Sequence, residues 1–164
     1  MAVSRRLFRH LWRFVAPYDS DRPALQYVRV EDGLAIATDG RRLTFASGID
    51  LDNGFYTKDA EPETDDEGLK YPDWRKVVPS IDEPGRILVD VDFESVKVEY
   101  GVCDGCRDLV AVLPGPSGEV HVWMPFIDDI LCWCGTPQIY VGGEKSPVLF
   151  VYPELTSVVM PRRK

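Results

Sequence analysis

The chain has 164 residues, 45% of them hydrophobic, which is enough to bury one good core but hardly two independent ones. No apolar run approaches the ~18 residues that a bilayer span needs, and the N-terminal apolar residues alternate with Arg and His, unlike an export signal. We therefore expect a cytoplasmic protein, not held in a membrane, with its four cysteines reduced.

The net charge of −8 argues against a chain that binds nucleic acid over its whole surface. The charges are segregated, however. Residues 1–16 carry four arginines and no acid, and residues 162–164 are all basic, which leaves twelve bases against 27 acids in between. Basic ends on an acidic body favour a local rather than a general positive field.

The first element is a predicted helix from Ser4 to Ala16, with Ser4 as the N-cap and Pro17 ending it. At 100° per residue the basic side chains fall on one arc, and the apolar side chains fall on the opposite one. The basic arc comprises Arg5, Arg6, Arg9, His10 and Arg13. Such a helix is either an ordinary amphipathic surface helix or one that faces phosphates.

Short strands follow in the first half, at Tyr27–Glu31, Leu34–Ala37 and Leu43–Ser47. Asp32-Gly33 and Asp39-Gly40 are turn signals between them. The acidic run near residues 58–68 is typical of a solvated loop.

The second half contains seven predicted strands and one short helix. The strands are Arg86–Asp92, Ser95–Tyr100, Asp108–Leu113, Glu119–Trp123, Gln138–Val141 and Val148–Tyr152, with a last one at Thr156–Met160. The helix runs from about Phe126 to Cys134, with Pro125 in its first turn. The order of elements predicts an α+β fold in one domain, 1–164, with halves of about 1–79 and 80–164.

Four cysteines form the motifs Cys103-Asp104-Gly105-Cys106 and Cys132-Trp133-Cys134. Four thiolates could hold a structural zinc ion, but Cys132 and Cys134 at a helix end point about 200° apart. We expect reduced, partly buried cysteines instead, and no cofactor. His121, like His10, is expected at the surface, and no catalytic constellation is present.

Several segments, in order along the chain, resemble motifs of the bacterial polymerase III beta sliding clamp. Arg22–Val28 and Ala37–Leu43 are similar to "RP.L..V" and "ATDGHRL", and Tyr71–Pro79 is similar to "(Y/F)PDYRRVIP". Phe126–Leu131 resembles the helix "YLLDVL", and the segments Ser146–Leu149 and Val158–Arg162 resemble the closing "P(V/L)…VVMPMR".

The resemblance implies a DNA-clamp-type domain, with two helices packed on antiparallel β-sheets and no enzymatic activity. In such clamps the helices line a ring and contact the phosphates of double-stranded DNA without reading bases. The first helix fits this role, with Arg5, Arg6, Arg9 and Arg13 as the DNA-binding residues. The second helix departs from it, because Asp128 and Asp129 are acidic and no Lys or Arg lies between Phe126 and Cys134.

The resemblance also implies a hydrophobic groove for peptides of replication or repair proteins. The corresponding residues lie in two segments: Thr38, Gly40, Arg41, Arg42 and Leu43 in the first, and Val158, Val159, Met160, Pro161 and Arg162 in the second. Arg41 replaces a family His and Arg162 replaces a family Met, which should weaken capture of an apolar anchor.

Three hypotheses follow. The first is a clamp-like homo-oligomer, in which about six one-domain copies close a ring by edge pairing of sheets. The second is a non-ring adaptor that binds peptides, such as a phage-derived modulator of the host clamp. The third, resting only on Cys103, Cys106, Cys132 and Cys134, is a zinc-stapled domain.

Overall fold

The computed structural model describes residues 4–18, 20–103 and 106–162, and for Cys103 and Cys106 the backbone alone. The described chain divides into two compact units. The first comprises the described residues up to Arg75 together with Pro153–Ser157, and the second comprises Lys76–Tyr152 and the residues from Val158 on. None of the helices in the described residues has the length and apolar content to cross a membrane.

The first unit contains one α-helix and a four-stranded antiparallel sheet. Helix α1 (Arg5–Leu11) continues into a 3-10 turn at Trp12–Phe14, and a second 3-10 turn lies at Pro23–Gln26. The strands are β1 (Val28–Glu31), β2 (Leu34–Thr38), β3 (Arg42–Ser47) and β4 (Gly54–Tyr56). They are ordered β4-β1-β2-β3.

Tight turns fix the register of this sheet. Asp32 and Gly33 both have positive φ, 51° and 76°, as a two-residue hairpin turn between β1 and β2 requires. The carboxylate of Asp39 accepts hydrogen bonds from the backbone N–H groups of Arg41 and Arg42, at 2.9 and 3.1 Å. Both turns that the sequence predicts are therefore present.

One face of α1 packs into the core of the first unit. Leu7, Phe8, Leu11 and Phe14 are buried, and the ring of Phe8 meets that of Tyr56 edge-on at 6.1 Å. These residues recur every three or four positions, as the apolar stripe of an amphipathic helix does. The helix begins after Ser4 as predicted, although the Ser4 side chain makes no capping hydrogen bond.

The second unit contains one α-helix and two antiparallel sheets. Its strands are β5 (Ile87–Val89), β6 (Val98–Cys103), β7 (Cys106–Gly115), β8 (Gly118–Trp123), β9 (Gln138–Val141) and β10 (Val148–Val151). The strand β11 (Leu155–Val159) is divided between the two units. One sheet has the order β10-β9-β5 and the other β6-β7-β8.

Helix α2 (Met124–Leu131) contacts β7 and β8, and Ile127 and Ile130 are its buried residues. Pro125 stands in the first turn, as the sequence predicts. The hydroxyl of Tyr152 donates to the carbonyl of Ile130 at 3.2 Å, and burial raises the pKa of Tyr152 to about 12. Two helices on antiparallel sheets confirm the predicted α+β fold class; the prediction of a single domain with halves near residue 79 stays a prediction.

Candidate nucleic-acid and partner interfaces

The four predicted DNA-binding arginines share one exposed surface of the first unit. Arg5, Arg6, Arg9 and Arg13 are all exposed, on α1 and the 3-10 turn that continues it. The helical period separates these arginines from the buried apolar stripe, which lies on the opposite side of the same helix. We call this surface the arginine face.

The acidic loop reaches the arginine face. The carboxylate of Asp59 accepts from Nη2 of Arg9 at 3.1 Å, and Arg9 remains 66% exposed. An ion pair this exposed contributes at most about 1 kcal/mol. The loop is thus not merely solvated, as the sequence suggested, since one of its acids neutralises part of the positive field.

The predictions for both histidines are wrong. His10 is buried, with its ring 5.5 Å from that of Phe14. It stands three residues after Leu7 and four before Phe14, so it borders the apolar stripe rather than the arginine face. His121 is buried as well, with Glu99 and Glu119 carboxylates 3.6 and 3.7 Å from its two ring nitrogens.

The turn after β2 is tied to the end of the first helix. Thr38 Oγ1 donates to the carbonyl of Arg42 at 2.6 Å and accepts from the N–H of Gly40 at 3.1 Å. The guanidinium of Arg42 pairs with Asp39 at 3.1 Å, donates to the carbonyl of Arg13 at 2.7 Å, and lies 4.9 Å above the ring of Phe14. Arg42 is therefore a structural link, and Arg41 beside it is exposed.

The closing segment is anchored within the second unit. Val158, Val159 and Pro161 are buried, and Met160 is 39% exposed. The N–H of Arg162 donates to the carbonyl of His121 at 2.7 Å, and its Nη2 donates to the carbonyl of Val102 at 3.2 Å. Its guanidinium also lies 5.3 Å from the Trp123 ring centre. Arg162 therefore makes its contacts within the second unit, which the sequence did not predict.

The two predicted walls of the groove belong to different units, with the turn in the first and Val158–Arg162 in the second. The groove between them therefore stays a prediction. Among the ten residues assigned to it, Gly40, Arg41 and Met160 are exposed.

A cleft of about 480 Å³ lies within the first unit, at residues that the predicted groove did not include. It is lined by Arg22–Leu25 on one side and Gly68–Pro72 on the other, with apolar surface predominating. A side-chain carbon at Gly40 would come within 3.0 Å of Nη1 of Arg22, so the turn and the cleft are in close contact. The first wall falls in a segment that resembles a clamp motif, whereas only Tyr71 and Pro72 of the second wall do, so the sequence carried no clear signal for the cleft.

The second wall of the cleft is fixed to the sheet. The hydroxyl of Tyr71 donates to the carbonyl of Ile36 at 3.4 Å, and burial raises the pKa of this phenol above its ordinary range. The Glu31 carboxylate accepts from Trp74 Nε1 at 3.2 Å and from the guanidinium of Arg75. Burial raises the pKa of Glu31, but these bonds outweigh it and hold the pKa below its usual value.

The cysteines give no support for a metal site among the residues that the structure describes. Cys132 and Cys134 are free and exposed, not partly buried as predicted. The thiols of Cys103 and Cys106 lie outside the described residues, and no group of three or more ligating side chains is found within them.

No family model matches the sequence, and no curated protein matches it. Solved structures of bacterial sliding clamps share its fold. The DNA polymerase sliding clamp of Caulobacter crescentus matches with a TM-score of 0.62 at 19% identity, over 99% of this chain and 65% of that one. The DNA polymerase III beta chain of Streptococcus pneumoniae matches with a TM-score of 0.61 at 15% identity, over 99% and 64%.

The DNA polymerase III beta subunit of Thermotoga maritima matches with a TM-score of 0.58 at 16% identity, over 99% and 65%. The chain thus spans less than two thirds of the length of each of these clamps. Its fold is that of a sliding clamp, as the sequence motifs predicted.

Proposed function

We propose that this chain is a non-enzymatic, clamp-like protein of DNA replication or repair, acting in the cytoplasm. The observation that carries the proposal is the arginine face on a sliding-clamp fold. Four exposed guanidiniums on one helix face suit contacts with phosphates, which position a protein on a duplex without reading its sequence. Binding would then be independent of sequence and strongly dependent on salt.

The second part of the proposal is partner binding at the cleft of the first unit. Its mostly apolar lining suits an aliphatic or aromatic anchor of a peptide. Arg22 and Lys70 at its walls add positive charge, which favours a peptide with acidic flanks. Partners of this kind would be replication or repair proteins.

A non-ring adaptor, for example one that competes for the partners of a host clamp, is the second candidate. Helix α2 favours it, because Asp128 is exposed and no Lys or Arg lies between Met124 and Leu131. An acidic helix is a poor lining for a DNA channel. Such an adaptor would keep the cleft and bind duplex DNA weakly or not at all, whereas a clamp would assemble, with about six copies closing a ring.

The test is binding of a labelled 30-base-pair duplex at ~50 mM salt, measured by fluorescence anisotropy, together with the solution mass. The variant changes Arg5, Arg6, Arg9 and Arg13 to Ala. The matched control removes four other exposed bases, Lys58, Lys70, Arg107 and Lys145, so that net charge falls equally.

The clamp hypothesis expects binding that the arginine variant loses and the control keeps. Absence of wild-type binding at this salt would refute the DNA part of the proposal. A monomeric mass at tens of micromolar would exclude the ring and leave the adaptor.

A further inference from the structure

Strand β6 is an edge of the three-stranded sheet in the second unit. Among the described residues no strand pairs with it on the side away from β7. The N–H of Val112 donates to the carbonyl of Lys97 at 2.9 Å, and the register then places Val98 opposite Ala111. Since hydrogen-bonded pairs alternate along an antiparallel ladder, the backbone groups of Val98, Tyr100 and Val102 point away from β7.

The side chains of these three residues form an exposed apolar row. Val98 is 42% exposed, Tyr100 83% and Val102 59%, and Leu109 on β7, opposite Tyr100, is 40% exposed. An edge strand that offers both outward-pointing backbone groups and apolar side chains is a template for another strand. Other proteins blunt such edges with charge or proline, and none is present on this row.

We propose that β6 pairs with β6 of a second copy of this chain, antiparallel and centred on Tyr100. This register places Tyr100 opposite Tyr100 of the partner subunit and Val98 opposite Val102 of the partner subunit. All three outward-pointing residues then fall in hydrogen-bonded pairs, and the apolar row continues across the junction. The result is a six-stranded sheet with two-fold symmetry.

Charge disfavours one of the two neighbouring registers, and the apolar row disfavours the other, which would leave Val98 without an apolar partner. On the other face of β6, Glu99 falls opposite Gly101 of the partner subunit, so no carboxylates meet. A slip of two residues toward the N-terminus would place Glu99 directly opposite Glu99 of the partner subunit, which is destabilising. The strand is thus complementary to itself in the one register that also matches all three apolar residues.

The anchored C-terminus is compatible with this pairing. Nη2 of Arg162 already donates to the outward-pointing carbonyl of Val102 at 3.2 Å. A carbonyl oxygen accepts two hydrogen bonds, so Val102 can still accept from the partner strand.

Sedimentation velocity from 5 to 100 µM at 150 mM NaCl tests the pairing, with salt chosen to screen the repulsion between copies of net charge −8. Tyr100→Lys should raise the dimer dissociation constant at least tenfold, because it places two ammonium groups opposite each other. Tyr18→Lys is the matched control, since Tyr18 is 94% exposed on the first unit.

A cross-link tests the register. In a hydrogen-bonded pair the two Cα atoms lie about 5.5 Å apart, which is within reach of a disulfide. In a background with Cys103, Cys106, Cys132 and Cys134 each changed to Ser, Tyr100→Cys should form a covalent dimer through residue 100, identified by peptide mass. Leu88→Cys, at a site 58% exposed on β5, is the control and should not.

A wild-type monomer at 100 µM would overturn the proposal, as would an oligomer that Tyr100→Lys leaves unchanged. Equal cross-linking at residues 88 and 100 would do the same. Duplex binding is measured on the same variants. Loss of pairing with DNA binding intact, or the reverse, therefore separates this inference from the proposed clamp function.

Discussion

Removal of the Asp59 carboxylate should strengthen duplex binding and make it more sensitive to salt. Each phosphate contact adds about −0.9 to the slope of log K against log salt, so four arginines give at most about −3.6. Between 50 and 200 mM salt each contact then costs about 3.5-fold in affinity. In the unbound protein Arg9 is paired with Asp59 at 3.1 Å, and that pair must be exchanged for a phosphate.

The structure sets the size of the effect. With Arg9 66% exposed, the pair is worth at most about 1 kcal/mol, or about fivefold in affinity. Asp59→Asn should therefore increase affinity at ~50 mM salt by up to about fivefold. If Arg9 is withheld from DNA in the wild type, the slope should also steepen by about 0.9.

Anisotropy titrations of a labelled duplex over this salt range measure both quantities. Asp65→Asn is the control, because Asp65 is exposed in the same acidic loop and loses the same charge. If the two variants behave alike, the effect is one of net charge and the role assigned to Arg9 is refuted. In an Arg9→Ala background, Asp59→Asn should no longer change the affinity or the salt slope. A change that persists there would also refute the role assigned to Arg9.

Three further predictions address the cleft and the packing. Leu69→Asp, inside the cleft, should weaken binding of a labelled leucine-containing peptide at least tenfold, whereas Leu88→Asp outside it should not; equal effects would place the peptide elsewhere. Gly101→Ala should lower the free energy of unfolding, measured in urea, by about 1–3 kcal/mol. The added Cβ would lie 2.6 Å from Val110 Cγ2 and 3.0 Å from the Trp123 ring, and no measurable change in stability would show that these side chains move aside freely. Glu31→Gln should destabilise the protein most at neutral pH, because a carboxylate whose pKa is lowered by folding contributes stability above its unfolded pKa. The difference in stability between wild type and variant should vanish as pH falls through the folded pKa of Glu31, and a difference that stays constant down to about pH 3 would contradict this.

Local patterns were sufficient for elements whose burial is periodic. The opposed arcs of α1 and the Asp32-Gly33 turn were predicted because sequence spacing alone determines which side chains share a face. Strand β4 was missed, since Gly54-Phe55-Tyr56 is too short to show alternation and follows the turn residues Asp52-Asn53.

His121 shows why the candidate site was harder to predict than the fold. On strand β8 the side chain of His121 lies on the opposite face from those of Val120 and Val122. That face is nevertheless covered, by Glu99 across the sheet and by the backbone of Arg162 some forty residues further along the chain. Coverage by distant segments has no local signature, and the same reason hid the cleft between residues 22–25 and 68–72.

Arg42 links the arginine face to the turn that adjoins the cleft. Its guanidinium bonds the turn through Asp39 and the end of the arginine face through the carbonyl of Arg13, and Gly40 of the same turn lies against Arg22 of the cleft wall. A ligand that shifted the turn from the cleft side, or Arg42 from the arginine face, would alter the free energy of binding at the other surface. Such coupling is reciprocal by thermodynamic linkage, so DNA and a partner peptide would change each other's affinity by the same factor.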